Sequence, residues 1–155
     1  MTAYFRFLLA FLFLQNTVFA QNKAIPIEPV KWAFAAKNVL EGEYNVTLTA
    51  TIDKDWCVYS QFLKGDEGPV PTAIVFVPEA DFQPVGNTKE EGHRKEIEDP
   101  VFMMKVVKFE DTVVFTQRVR VGKKQKTVRG TVTFMTCDGS VCLPPRDVPF
   151  EIALK

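Results

Sequence analysis

The chain has 155 residues with 19 basic and 19 acidic side chains, a formal net charge of zero. A neutral balance gives no electrostatic case for nucleic acid or for an anionic membrane surface as partner. The length fits one domain around one core, and three cysteines leave one thiol to explain if two of them pair.

Residues 1–20 read as a secretory signal. Arg6 is the basic start, Phe7 to Leu14 is an apolar run too short to span a bilayer as a helix, and Val18-Phe19-Ala20 carries the cleavage positions. Cleavage after Ala20 gives an exported, soluble product in a compartment where disulfides persist. No cysteine stands at the new terminus, Gln21, which argues against a lipid anchor. Residues 21–30, with Pro26 and Pro29, read as an extended lead-in to a single domain over 31–155.

The signals that follow are those of β-structure. From Glu43 to Ile52 apolar and polar residues alternate strictly, with Tyr44, Val46, Leu48, Ala50 and Ile52 on one side, which predicts a half-buried strand. Asp53-Lys54-Asp55 is a turn, Trp56 to Phe62 a second strand, and Gly65 to Pro71 a Gly/Pro-rich connection. Ala73 to Val77 is a short strand that Phe82 to Val85 continues beyond a turn. Gly86 to Asp99 is the most polar stretch, with Gly86 to His93 read as a solvated loop and a weak strand at Arg94 to Ile97. Phe102 to Phe109 and Thr112 to Val121 read as two strands separated by Glu110-Asp111, and Gln117 interrupts the apolar face of the second. A turn at Gly122 to Gln125 precedes the strand that leads to Cys137, and Phe150 to Leu154 closes the sheet. Short strands with turn signals every 8–12 residues predict an all-β fold, an immunoglobulin-like antiparallel β-sandwich.

The organising stretch is Met135 to Pro145. Cys137 and Cys142 flank Asp-Gly-Ser-Val, the composition of a tight turn, and Pro144-Pro145 leads out. If the thiols join, their Cα atoms should lie about 4.4–6.8 Å apart. Closing so small a ring stabilises a fold by only about 2 kcal/mol on the chain-entropy account, so the pair suits reversible electron exchange better than stapling. A static hairpin disulfide and a metal site are the other readings. The four-residue spacing is not the two-residue spacing of zinc ribbons, and His93 is the only histidine.

The segment from Cys137 to Pro145 resembles the active-site segment of the N-terminal periplasmic domain of DsbD, the thiol:disulfide interchange protein. The strand with Trp56 and Tyr59, the Gly68 to Thr72 connection, Asp99-Pro100-Val101-Phe102 and Phe115-Thr116-Gln117 fit the same family. The resemblance implies an immunoglobulin-like periplasmic domain that needs no cofactor and no metal. Such a domain takes electrons from a membrane-embedded thiol reductase and passes them to exported thioredoxin-fold proteins, among them disulfide isomerases and proteins of cytochrome c maturation. It implies Cys137 and Cys142 as the redox pair and Phe102 as an aromatic cap over it, with Cys57 and Tyr59 at the positions of two tyrosines beside the cysteines. Pro100 and Val101 replace acidic residues of the family's best-known members, which leaves Glu98 and Asp99 as the neighbouring acids for proton transfer. The cysteines are one residue closer than in those members. With the chain ending at Lys155, the reductase is expected to be a separate polypeptide and the domain a monomer. An immunoglobulin-like binding module with an inert disulfide is the competing function.

The odd thiol is Cys57. It shares strand parity with Tyr59, opposite Trp56 and Val58, so its side chain should point toward the pair. A cysteine in apolar surroundings is unreactive, so it is expected to pack there, unlinked at rest. Met103-Met104 has no histidine near it to suggest copper.

Overall fold

The computed structural model describes residues 27–64 and 68–155. The expected signal segment, most of the expected lead-in and part of the Gly/Pro-rich connection lie outside them. Eight strands follow in chain order: β1 (Val30–Leu40), β2 (Glu43–Ile52), β3 (Cys57–Tyr59), β4 (Ala73–Phe76), β5 (Phe82–Asp99), β6 (Met104–Val121), β7 (Thr127–Cys137) and β8 (Cys142–Ala153). All pair antiparallel in one sheet, with the path β1-β2-β6-β3-β7-β4, β5 on β6 and β8 on β7.

This sheet curls into two facing wings, the expected sandwich architecture. One wing is β1, β2, β6 and β5; the other is β4, β7 and β8. Aromatic contacts close the space between them. Trp32 of β1 meets Phe134 of β7 with ring centroids 5.3 Å apart, Phe34 meets Phe150 at 5.2 Å, and Phe76 meets Phe82 at 5.3 Å. Val46, Leu48, Val113, Phe115, Val119, Val128 and Val132 are buried beneath them. The β2 alternation is borne out, since its apolar parity faces this core. Short β3 bridges the wings at one end, pairing with the start of β6 and the end of β7.

Four local readings are corrected. First, Gly86 to His93 is not a loop, and with the expected weak strand at Arg94 to Ile97 it forms most of β5, paired with β6 along its length apart from two register irregularities. Its polar composition reflects an exposed strand, whose backbone bonds are satisfied whatever its side chains. Second, Phe102–Phe109 and Thr112–Val121 are not two strands, because β6 runs unbroken through Glu110-Asp111. Asp111 takes a left-handed φ of 58° opposite the register shift at Gly92/His93, which makes a bulge and not a turn. The bulge needs glycine at 92, where a Cβ would sit 2.2 Å from the Thr112 carbonyl oxygen.

Third, the strand ends differ. Trp56–Phe62 contracts to Cys57–Tyr59, and Phe150–Leu154 extends back to Cys142. Pro144-Pro145 lies inside β8 opposite the single residue Met135, between the Phe134↔Arg146 and Thr136↔Leu143 pairs. Prolines are tolerated because β8 is an edge strand here, bulged and with no partner needing their missing N–H. Fourth, β1 begins at Val30, inside the expected lead-in, and its Trp32, Phe34 and Ala36 face the core. Gln117 is buried on the apolar face and has a purpose there. Its Nε2 donates to the Val85 carbonyl at 3.1 Å and its Oε1 accepts from Thr88 at 2.7 Å, which closes the irregularity in β5.

Candidate functional site

The wings meet at the β3 end, and a second small cluster gathers there. Cys57, Tyr59, Val106 and Cys137 are buried in it, and Phe102, Cys142, Met104, Met135, Ile97 and Leu63 pack against them. Cys137 ends β7 and Cys142 begins β8, directly opposite each other and joined as a disulfide. Their Cα atoms are 4.1 Å apart, a little closer than expected. The cause is local. The next pair outward is hydrogen-bonded, Asp138 N–H donating to the Val141 carbonyl at 3.1 Å. The cysteines are therefore a non-hydrogen-bonded pair, the class in which strands approach most closely.

The four-residue turn is held by its first side chain. Asp138 Oδ1 accepts from the Ser140 and Val141 N–H groups at 2.9 and 2.8 Å, and Gly139 takes a φ of 89°. Those two backbone donors hold the Asp138 carboxyl below its ordinary range. The two sulfur-bearing residues differ in access: Cys137 is 1% exposed, whereas Cys142 is only half-buried. Of the two, Cys142 is the more accessible residue.

Asp99 repeats the same device on the other side of the site. It is 3% exposed, and its Oδ1 accepts from Val101 N–H at 2.9 Å and Phe102 N–H at 3.2 Å. Its Oδ2 accepts from the buried Tyr59 hydroxyl at 2.9 Å. Met103 N–H donates to the Asp99 carbonyl at 2.8 Å, which completes a tight loop in which Met103 has a φ of 54°. One carboxylate thus ties the loop backbone to β3. The loop lays Phe102 edge-on against Tyr59, ring centroids 6.1 Å apart with planes at 89°, beside the disulfide. An Asp followed by donors two and three residues on is the Asx-turn signature, and that signal was present in the sequence at both positions.

The structure therefore brings Cys137, Cys142, Phe102, Cys57, Tyr59 and Asp99 together. It does not bring Glu98, whose exposed side chain lies on the opposite parity of β5 from Ile97 and Asp99. Sequence reasoning missed Val106, Met104, Met135, Ile97 and Leu63, which line the cluster from four segments. It also missed Thr72 and Thr136, which fix β3 by donating to the carbonyls of Tyr59 at 2.6 Å and Cys57 at 2.8 Å.

Cys57 is unlinked and buried, opposite Cys137 in register. Burial pushes its thiol above the ordinary 9.0, although the Lys108 ammonium, the Cys137 backbone and the Tyr59 hydroxyl pull the other way. Tyr59 is likewise pushed well up, by burial first and then by Cys57 and Asp99. Both groups hold their protons more tightly folded than unfolded, so their contribution to stability is complete below pH 9 and is lost as pH rises beyond it. Denaturant midpoints taken from pH 8 to pH 11 should fall, and Cys57→Ala should flatten the fall. An unchanged slope would deny Cys57 that part.

These features agree with what the chain is similar to. The N-terminal periplasmic domain of ScsB from Proteus mirabilis superposes with a TM-score of 0.54 at 15% identity, over 79% of this chain and 44% of that one. The chain thus spans less than half the length of that protein. The N-terminal domain of Neisseria meningitidis DsbD in the reduced form gives a TM-score of 0.56 at 19% identity, over 85% of this chain and 91% of that one. At such identities the likeness concerns the fold. No curated protein matches the sequence. Residues 21–153, which hold the sandwich, the disulfide hairpin and the loop against it, match the family described as thiol:disulfide interchange protein DsbD, N-terminal, and the chain belongs to that family.

Proposed function

We propose that this is an exported periplasmic electron relay, cleaved from its signal after Ala20. In this reading a separate membrane-embedded thiol reductase reduces the Cys137–Cys142 disulfide. The resulting dithiol then reduces exported thioredoxin-fold proteins, such as those serving disulfide isomerisation or cytochrome c maturation. The observation that carries it is the asymmetry of the pair: a half-buried Cys142 in a short hairpin, joined to a buried Cys137, in one cluster with an aromatic loop tied down by Asp99. A bond meant only to brace the fold gains nothing from such a loop.

The steps follow from access. The Cys142 thiolate attacks one sulfur of the client disulfide, forming a mixed disulfide and releasing the client's other sulfur as thiolate. Cys137, its register partner, then attacks Cys142, which restores the intramolecular bond and releases the client's second thiolate. Two electrons pass from the pair to the client. The membrane donor runs the same exchange in the opposite direction. With Phe102 acting as the cap, a docking partner has to displace its loop first, and exchange with chance thiols is suppressed.

Trapping tests the scheme. Cys137→Ser leaves Cys142 without its resolving partner, so mixed disulfides should accumulate in cells and release thioredoxin-fold proteins on reduction. Cys142→Ser should trap none of them. Equal trapping by both variants, or by neither, would overturn the assignment.

A further inference from the structure

Cys57, Cys137 and Cys142 form one row across three adjacent strands. Cys57 of β3 is opposite Cys137 of β7, which is opposite Cys142 of β8. Opposed residues of antiparallel strands project from the same face, and all three belong to one packed cluster. Cys137 and Cys142 are a non-hydrogen-bonded pair, so the Cys137 backbone groups turn the other way, toward β3. That makes Cys57 and Cys137 a hydrogen-bonded pair, whose Cα atoms stand about 5.5 Å apart in ordinary strands. Disulfides span about 4.4–6.8 Å between Cα atoms, so the middle cysteine has a bondable neighbour on either side. Exchange at sulfur also requires the entering thiolate to approach opposite the leaving one. Strand order is compatible with that approach, since it places Cys57 on one side of Cys137 and Cys142 on the other.

We propose that Cys57 is a third member of the redox site, exchanging with the pair inside the domain. Burial keeps Cys57 mainly as the thiol, so the exchange runs through its minority thiolate, which attacks Cys137 Sγ. The Cys57–Cys137 bond forms, the Cys137–Cys142 bond breaks, and Cys142 leaves as a thiolate. No outside oxidant or reductant is consumed, and the proton lost by Cys57 is gained by Cys142. The disulfide moves from a hairpin whose Cys142 is half-buried to two residues 2% and 1% exposed. This rests on the relay reading of the pair and deepens it. Once a client has been reduced, the inward shift withdraws the disulfide from the client's own thiols, and the reverse exchange returns it to the surface for the donor. The pair remains the resting form, with Cys57 unlinked.

Alkylation reads the exchange directly. The oxidised full chain is incubated with iodoacetamide under native conditions, acid-quenched, and mapped by mass without reduction. Irreversible capture of Cys142 drains the exchange, so molecules with alkylated Cys142 and a Cys57–Cys137 link should accumulate with time. The Cys57→Ala chain should show no label on Cys142. Label on Cys57 with Cys137–Cys142 intact overturns the proposal, as does absence of label where the denatured control labels Cys57. A parallel assay, reduction of an oxidised thioredoxin-fold protein by the prereduced wild type, separates the two readings. Transfer without Cys142 capture removes the exchange alone, whereas Cys142 capture without transfer supports the exchange and removes the relay.

Discussion

Cys137→Ser combined with Cys142→Ser should abolish electron transfer while lowering stability by about 2 kcal/mol or less. The small cost follows from the ring. The sequence separation is 5, so little entropy is removed from the unfolded chain, and the hairpin has other supports. Asp138 holds the turn through two backbone bonds, β8 pairs with β7 down to Thr127↔Ala153, and Thr136 anchors β3 to β7. Serine also fits both sites, although at Cys137 it buries a hydroxyl. Denaturant unfolding together with a client-reduction assay decides the matter. An unfolded double variant would show the bond to be a brace. So would a reduction potential below about −300 mV, where inert structural disulfides lie, and the binding-module reading would then prevail.

Phe102→Ala should speed reduction of the disulfide by dithiothreitol and leave the fold largely intact. The ring is partly exposed and belongs to the small site cluster, not to the core between the wings. Its truncation should therefore cost less than the roughly 3–5 kcal/mol of a core phenylalanine. What it loses is the edge-on contact with Tyr59, worth about 0.5–1.5 kcal/mol. If that contact is what holds the loop shut, the rate should rise roughly two- to twelvefold, since 1.36 kcal/mol is a factor of ten. Asp99→Ala should act the same way through the backbone, because it removes the acceptor shared by Val101, Phe102 and Tyr59. It should also cost more stability, about 1–3 kcal/mol, because a buried tyrosine hydroxyl loses its partner. A large stability loss in Phe102→Ala with no change in rate would assign the ring to packing.

Much of this protein could be read from the order of its residues. Period-two alternation in Glu43–Ile52 and Thr112–Val121 determined the all-β class, because one face of each strand must be buried and the signal is local. Two cysteines around a turn sequence pointed to the hairpin disulfide, because only four residues lie between them and the thiols stay within reach of each other. Parity alone placed Cys57 and Tyr59 on one face and Val58 on the other, and the structure separates them into the site and the main core accordingly.

The rest depended on contacts between distant segments. β5 is polar and its strand character comes from pairing with β6, so no pattern of its own announced it. Asp99 and Glu98 are adjacent acids of equal standing in the sequence. Only the fold turns one inward to Tyr59, 40 positions away, and leaves the other in solvent. The row of three cysteines is likewise a matter of register. Cys57 meets Cys137 because β3, three residues long, is clamped between β6 and β7. A one-residue slip would turn its thiol to the opposite face, and only the pairing of the whole sheet forbids that slip.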